Sequence, residues 1–370
     1  MKIAYLFNTG RFNILQDVRS GRSPSDFFYG AIELEKKGYV IGIHELVAHS
    51  PVKFPYAFCN IMLSKGWTPA YMDGGLVRQS LKLCDQLNKY DCIVATTSGI
   101  AFSLGLLKKI KALSPPLVSI HCGIFNNSYK RVGKYLTSTL MEEMHNVYFG
   151  EGEFIQSQKV FSSRKINNTV CQYGVDLNFW GYGNKGKKKD YVLCVGNDGR
   201  RDFNCLLKAA HMISAEIILL TKRKITGSLS NNVKLLKSDW GSQSINDHEL
   251  KILYQEARCV VIPLIDSVQP SGQSVALQAM ACGTPVVITE TPGFWDRRLL
   301  RDGKELLFVK IGDPLDLARK VNRLLEDRCF AKNIASQALS CLNSNFSIEH
   351  FSQCIESCVL EHEKTKCDVG

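Results

Sequence analysis

No run of 18 or more apolar residues occurs in the 370-residue chain, so no segment is long enough to cross a bilayer as a helix. The first ten residues, MKIAYLFNTG, carry one lysine and then a strand-like run, without the long apolar core and small-residue cleavage site of a signal peptide. No C-x-x-C pair is found among the fourteen cysteines, and several, Cys194 and Cys259 included, sit inside apolar strand-like runs. That scatter fits reduced, buried thiols better than disulfides or a zinc site, and the expected compartment is the cytoplasm. The N-x-S/T sequons at Asn126, Asn167 and Asn345 then carry no meaning. Internal repeats and low-complexity tracts of consequence are also missing.

What is present is an ordinary globular composition, 45% apolar, on a chain too long for one core, so two domains are expected. Lys and Arg number 46 against 35 Asp and Glu, a net charge of +11. Residues 1–180 hold 20 basic and 13 acidic residues (+7) and the remainder 26 and 22 (+4). Such a balance calls for an anionic partner: a nucleotide, an anionic lipid surface or a nucleic acid. No nucleic-acid module is recognisable and the basic residues are not interleaved with aromatics, so nucleic acid is not expected.

The most informative stretch is 259–296. Cys259 to Ile265 is an apolar run of strand length, followed by a breaker-rich loop, Asp266 to Gln273, with Pro270 and Gly272. A helix from about Ser274 carries Val275, Ala279 and Met280 on one side, Gly283 stands where a helix C′ glycine belongs, and Pro285 to Thr289 reads as the next strand. This is a βαβ unit whose loop lies at the strand's carboxyl end, where open α/β sheets bind ligands. The helix start offers backbone N–H groups to an anion such as a diphosphate.

The wording Gln278-Ala279-Met280-Ala281-Cys282-Gly283-Thr284-Pro285-Val286-Val287 resembles the signature of retaining glycosyltransferases of the family-4 type. Two departures stand out: the family's two glutamates fall here on Gln278 and Pro270. The resemblance implies a GT-B architecture, two Rossmann-like α/β domains facing across a cleft. It also implies transfer of a sugar from a nucleoside diphosphate sugar to an acceptor hydroxyl with retained configuration, with no metal and no cofactor. In the family's proposed front-face mechanism the leaving phosphate itself accepts the acceptor's proton, so no protein nucleophile is required. Ser271, Gly272, Gln273 and Ser274 would reach the sugar diphosphate, and Gln278 would hold a ribose hydroxyl through its carbonyl oxygen.

Along the chain, Lys2 to Asn8 reads as the first strand, followed by a Gly-, Arg- and Ser-rich loop and a helix capped at Ser23, with Phe27, Phe28, Ala31 and Ile32 on one face. Phe54 to Trp67, aromatic and apolar, reads as core, with an exposed acceptor-side surface as the alternative. Strands are expected at Tyr39–Leu46, Asp91–Thr96 and Leu117–Ile120, and His121 just past the last would face the cleft near the donor sugar. Lys108, Lys109, Lys111, Lys130, Arg131 and Lys134 bracket this region, either as a solvated face or as a peripheral contact with an anionic membrane at its inner side.

Gly174-Val175-Asp176 resembles the family's crossing segment, and the linker GYGNKGKKKD (181–190) separates an acceptor-side domain, 1–183, from a donor-binding domain, 184–345. A helix at 346–370 returns to the first domain. The loop Gly196-Asn197-Asp198-Gly199-Arg200-Arg201-Asp202 follows the strand Tyr191–Val195 and is not a G-x-G-x-x-G, which argues against a nicotinamide there. By resemblance, Arg201 falls on the family's diphosphate-binding lysine and Asn197 on its arginine. Gly196 and Arg200 belong to the same donor site, and Lys222, at the end of the strand Ile217–Thr221, aims at it. Arg201, Lys222 and His121 are the expected catalytic residues. A non-catalytic nucleotide-sugar-binding subunit and a nucleotide-sugar epimerase of the same fold remain open, as does the identity of base, sugar and acceptor.

Overall fold

The computed structural model describes residues 1–125, 129–161, 165–181, 187–236 and 245–367. Contacts divide the chain into two compact units, one of Met1–Ser20, Ser25–Gln172 and Ile348–Gly370, the other of Gly21–Pro24 and Tyr173–Ser347. The units part at Gln172/Tyr173 and at Ser347/Ile348, against the 183/184 and 345/346 read from sequence. Half of the linker (182–186) and the sequon at Asn126 lie outside the described residues.

The first unit holds β1 (Lys2–Asn8), β2 (Val40–Leu46), β3 (Cys92–Ala95), β4 (Leu117–His121), β5 (His145–Tyr148) and β6 (Asn168–Val170). They form one parallel sheet in the order β2-β1-β3-β4-β5-β6. Its central strands are short apolar runs such as Cys-Ile-Val-Ala, buried throughout, as sheets covered by helices on both faces require. Asp73 caps the helix Gly74–Leu87 by accepting the N–H groups of Gly75 (2.8 Å) and Leu76 (3.0 Å).

The second unit holds β7 (Tyr191–Val195), β8 (Glu216–Leu220), β9 (Val233–Leu236), β10 (Cys259–Ile262), β11 (Val286–Thr289) and β12 (Leu307–Val309), all parallel, in the order β12-β11-β10-β7-β8-β9. Counted from β7 this is the 3-2-1-4-5-6 order of dinucleotide-binding folds, and its direction of winding reverses between β7 and β10. The core between sheet and helices is built from residues such as Leu193, Leu219, Val261 and Val287, all essentially without exposed surface.

Four sequence expectations change. Residues read as an irregular loop contain a helix, Phe12–Arg19. The long helix expected after Ser23 is instead a single turn, Asp26–Phe28, and a separate helix, Ala31–Lys36, because Tyr29 and Gly30 both take left-handed backbone angles (φ 51° and 82°). The aromatic segment read as core is a helix, Tyr56–Ser64, with no buried residue; Phe54 is 84% exposed, and Phe58 and Ile61 are each 52% exposed. Not all thiols are free: Cys171, just after β6, is bonded to Cys354 on the helix Ile348–Cys367. Cys194 and Cys259 are buried free thiols, as expected.

Candidate functional site

Both loops singled out by sequence leave the second sheet at its point of reversal. After β7 the chain turns through Gly196 to Asp202 and runs antiparallel to the extension of β10: Asp202 N–H donates to Pro263 O (2.9 Å) and Ile265 N–H to Arg200 O (3.0 Å), around an Arg201–Leu264 bridge. Leu264 N–H is held in turn by Thr289 Oγ1 at the end of β11 (3.0 Å). Asp202 caps the helix Phe203–Ala210 by accepting the Cys205 N–H (3.0 Å). The carboxyl ends of three neighbouring strands are thereby locked together, a rigid base for a site.

Arg201 is the centre of this arrangement. Its side chain is almost wholly buried, Nε–H donates to Val195 O (3.3 Å), and Nη1 lies 3.4 Å from Asp198 Oδ2 in an ion contact that is not a hydrogen bond. Two glycines make room for it. A Cβ at Gly196 would sit 1.9 Å from Arg201 Nε, and one at Gly272 would sit 3.0 Å from Nη1 and 2.7 Å from Ile262 Cγ2. Gly272 also takes φ +79°, which side chains rarely adopt, and serves as the N-cap of the helix Gln273–Ala281 without a side-chain cap. Beside it, Ser271 Oγ is buried and makes no hydrogen bond among the described residues. Arg201 Nη1 and the Ser271 hydroxyl, neither hydrogen-bonded among the described residues, thus stand beside a helix start that has no side-chain cap. Buried donors left in that state are costly unless a ligand takes them, and together they favour an oxyanion.

The other expected donor residues are placed as follows. Gln273 and Gln278 are buried, and Gln278 Oε1 accepts from Tyr254 O–H at a long 3.5 Å. Ser274 is half-buried, one turn before Gln278 on the same helix. Arg200 is half-buried and its backbone N–H donates to Asp198 Oδ1 (2.8 Å). Lys222 is exposed; its N–H donates to Asn197 Oδ1 (2.7 Å), which also accepts from Thr221 Oγ1 (3.2 Å), so Asn197 ties the β7 loop to the end of β8. No described contact brings the Lys222 ammonium to Arg201. Sequence reasoning missed Arg223, whose Nη1 lies 3.5 Å from where a Cβ at Gly199 would stand. It missed Tyr254 as well. Asp296 is buried and caps a turn, accepting the N–H groups of Arg298 (2.8 Å) and Leu299 (3.0 Å).

His121 requires a correction. The sequence places it facing a cleft, but it has no exposed surface and belongs to the first unit's interior, between the rings of Phe102 and Tyr148. Asn146 Nδ2 donates to Met141 O (3.0 Å) and Met144 O (3.1 Å), which leaves Asn146 Oδ1 to accept from His121 Nε2–H (3.0 Å). Nδ1 then accepts from Ser98 O–H (3.0 Å). Burial lowers its pKa from 6.5 to about 4, so it stays neutral. It is a structural histidine.

Residues 189–327, which contain both loops, match the family Glycosyl transferases group 1. An uncharacterized glycosyltransferase of Methanocaldococcus jannaschii is 32% identical over 30% of this chain and 27% of its own length. A D-inositol 3-phosphate glycosyltransferase of Frankia alni is 38% identical over 25% of this chain and 21% of its own. The matched part thus spans about a quarter of these curated relatives. Among solved structures, sucrose-phosphate synthase from Thermosynechococcus elongatus superposes with a TM-score of 0.71 over 99% of this chain and 100% of its own, at 14% identity. Anabaena HepE in complex with UDP-glucose superposes at 0.68 over 98% and 100%, at 17% identity. The fold is GT-B.

Proposed function

We propose that the chain is a glycosyltransferase that moves a sugar from a nucleoside diphosphate sugar to an acceptor hydroxyl, with retained configuration and without a metal ion. The observation that carries the reading is the buried Arg201 guanidinium between Gly196 and Gly272, with Nη1 lacking a hydrogen bond at the head of an uncapped helix. As the glycosidic bond breaks, negative charge grows on the leaving diphosphate. Arg201, Ser271 O–H and the helix-start N–H groups are fixed donors for that charge, and fixed donors need no reorganisation as it develops. The nearby carboxylates are occupied, Asp198 beside Arg201 and Asp202 as a helix cap. Support for the donor class comes from the family match over residues 189–327 and from HepE, which was solved with UDP-glucose. Thermal shifts with UDP-, GDP-, ADP- and dTDP-sugars identify the donor, because a ligand of the native state raises its melting temperature. Transfer from that donor should persist in EDTA and give a product of unchanged anomeric configuration. Binding without transfer would make the chain a non-catalytic subunit, and a changed sugar without an acceptor product would make it an epimerase.

A second reading concerns the first unit, which we propose rests on an anionic membrane. Its support is the exposed helix Tyr56–Ser64, where Phe58, Ile61 and Lys65 follow one face, with Phe54 before it and Lys65 Nζ 5.2 Å from the Trp67 ring centre. Lys130 N–H donates to Gly66 O (3.1 Å), which sets the exposed Lys130, Arg131 and Lys134 beside this apolar face. Of the basic residues expected there, Lys108 is instead drawn to Pro115 O (2.8 Å) and Lys109 to Glu143 (3.0 Å). Co-sedimentation should favour anionic over neutral vesicles and fade with salt, and equal binding to both removes the idea.

A further inference from the structure

The second unit has a cavity of about 340 Å³ at the opposite end of its strands from the Arg201 site. Lys188, Arg258 and Pro285, which line it, stand just before β7, β10 and β11, at the amino ends of the strands. The remaining wall comes from the end of the helix Pro314–Glu326 and from the helix Arg328–Asn345, with Leu324 and Leu339 supplying apolar surface and Arg328 and Lys332 adding two exposed cations. Four cations therefore surround one small cavity whose lining contains no acidic residue.

Their partners do not balance them. Arg258 is paired with the exposed Asp190, Nη2 to Oδ1 at 2.6 Å and Nε to the same oxygen at 2.9 Å. Lys188 Nζ donates to Thr284 Oγ1 (2.7 Å), a neutral hydroxyl, whose own O–H is taken by Tyr254 O. Burial, with repulsion from Arg258, lowers the Lys188 ammonium to about 8, the mark of a cation held where its charge is poorly compensated. Asp190 offsets one of the four charges, so the cavity carries an excess of about three. Like charges gathered around low-dielectric apolar walls repel strongly and attract an anion just as strongly.

We infer that this cavity binds a small phosphate-bearing molecule with an apolar body, its phosphate met by Lys188, Arg328 and Lys332 and its body lying on Leu324 and Leu339. Lysine and arginine donors suit a phosphate, and the volume suits a small ligand rather than a nucleotide sugar. Because the cavity opens at the amino ends of the strands, its ligand is separate from one held at the carboxyl-end loops. The site stands or falls independently of the sugar-transfer reading.

The test is calorimetric titration of the full chain with phenyl phosphate as probe, with phenol and inorganic phosphate beside it. Phenyl phosphate should bind saturably with a Kd of about 1 mM or tighter at low salt. Phenol should be silent, and inorganic phosphate weaker than phenyl phosphate. Arg328 and Lys332 are exposed, so the double variant R328E/K332E is expected to fold normally, confirmed by its melting temperature, and to bind at least about tenfold more weakly. K188M should weaken binding in the same direction. Saturating UDP should leave phenyl phosphate binding unchanged. Absence of saturable binding, phenol binding as tight as phenyl phosphate, unaltered affinity in R328E/K332E, or displacement by UDP would each overturn the assignment.

Discussion

Replacing Arg201 by methionine separates a residue kept for structure from one kept for a ligand. The variant loses the Nε–H bond to Val195 O at 3.3 Å, worth about 0.5–1.5 kcal/mol. It also loses the contact with the partly exposed Asp198, worth about 0–1 kcal/mol. Against this, it no longer buries a guanidinium N–H without a hydrogen bond, a feature costing about 1–3 kcal/mol in the ligand-free protein. The terms nearly cancel, and methionine fills much of the same volume between Gly196 and Gly272, so unfolding free energy should move by no more than about 1 kcal/mol in either direction. Transfer should suffer far more. Losing a fixed cation that meets charge developing on the leaving group should raise the barrier by about 2–4 kcal/mol, roughly 30- to 1,000-fold in kcat/KM. The assay pairs urea unfolding with initial rates on the identified donor, and adds the melting-temperature rise from the nucleoside diphosphate, which should shrink or vanish. A variant several kcal/mol less stable, with unchanged turnover per folded molecule, would refute the reasoning and make Arg201 a brace for the β7 loop.

Gln278→Ala should weaken nucleoside diphosphate binding by about 0.5–1.5 kcal/mol and Gln278→Glu should preserve or tighten it, read by calorimetry; equal affinity in all three proteins would rule out a ribose contact by Gln278. Gly272→Ala should disrupt the same site, since its Cβ would press on Ile262 and Arg201 at a φ of +79°; loss of nucleotide binding and a lower melting temperature are the expected readings. Two buried groups in the first unit should tilt stability with pH in opposite senses. His121, lowered to about 4, binds its proton more readily unfolded, so its contribution, at most about 3 kcal/mol, is complete above pH 6.5 and fades as pH falls toward 4. Glu153, buried while accepting the Ile124 N–H and pushed up to about 7, contributes fully below pH 4.5 and loses that contribution as pH rises through 7. Urea unfolding between pH 4.5 and 7 should therefore show E153Q losing stability more steeply on acidification than the parent, and H121Q losing it more steeply as pH rises.

The second unit was readable because its punctuation is local. Pro270, Gly272, Gly283 and Pro285 bound a strand, a loop and a helix within 27 residues (259–285), and the loops they define meet where the strand order reverses. What the sequence did not show depends on separation or on side-chain direction. Ser98 and Asn146 converge on His121 from 23 and 25 residues away, so its enclosure left no trace beside it in the chain. Cys171 and Cys354 are 183 residues apart, and nothing marks them out from the other cysteines. The helix Tyr56–Ser64 misled for a different reason. Apolar composition usually means burial, and here an apolar face is left outside. At the end of β8 sequence pointed to Lys222, the first cation past the strand, whereas Arg223, next along the bend that follows, is the one that approaches Gly199.

The disulfide between Cys171 and Cys354 fastens the helix Ile348–Cys367 to the first unit, so that unit is assembled from stretches separated in the chain by nearly the whole of the second. This has a consequence for biosynthesis. As the ribosome delivers the chain from its amino end, residues 173–347 can fold while the first unit still waits for its last helix. Until Phe351 arrives, Tyr29 and Phe149, which stack at 5.9 Å and each contact its ring, have part of their apolar surface uncovered. Gly30, where an added Cβ would come within 3.0 Å of Ser352, lies equally bare. The first half to be translated is therefore the last to be finished, and its exposure to misassociation lasts for the whole time needed to make the second.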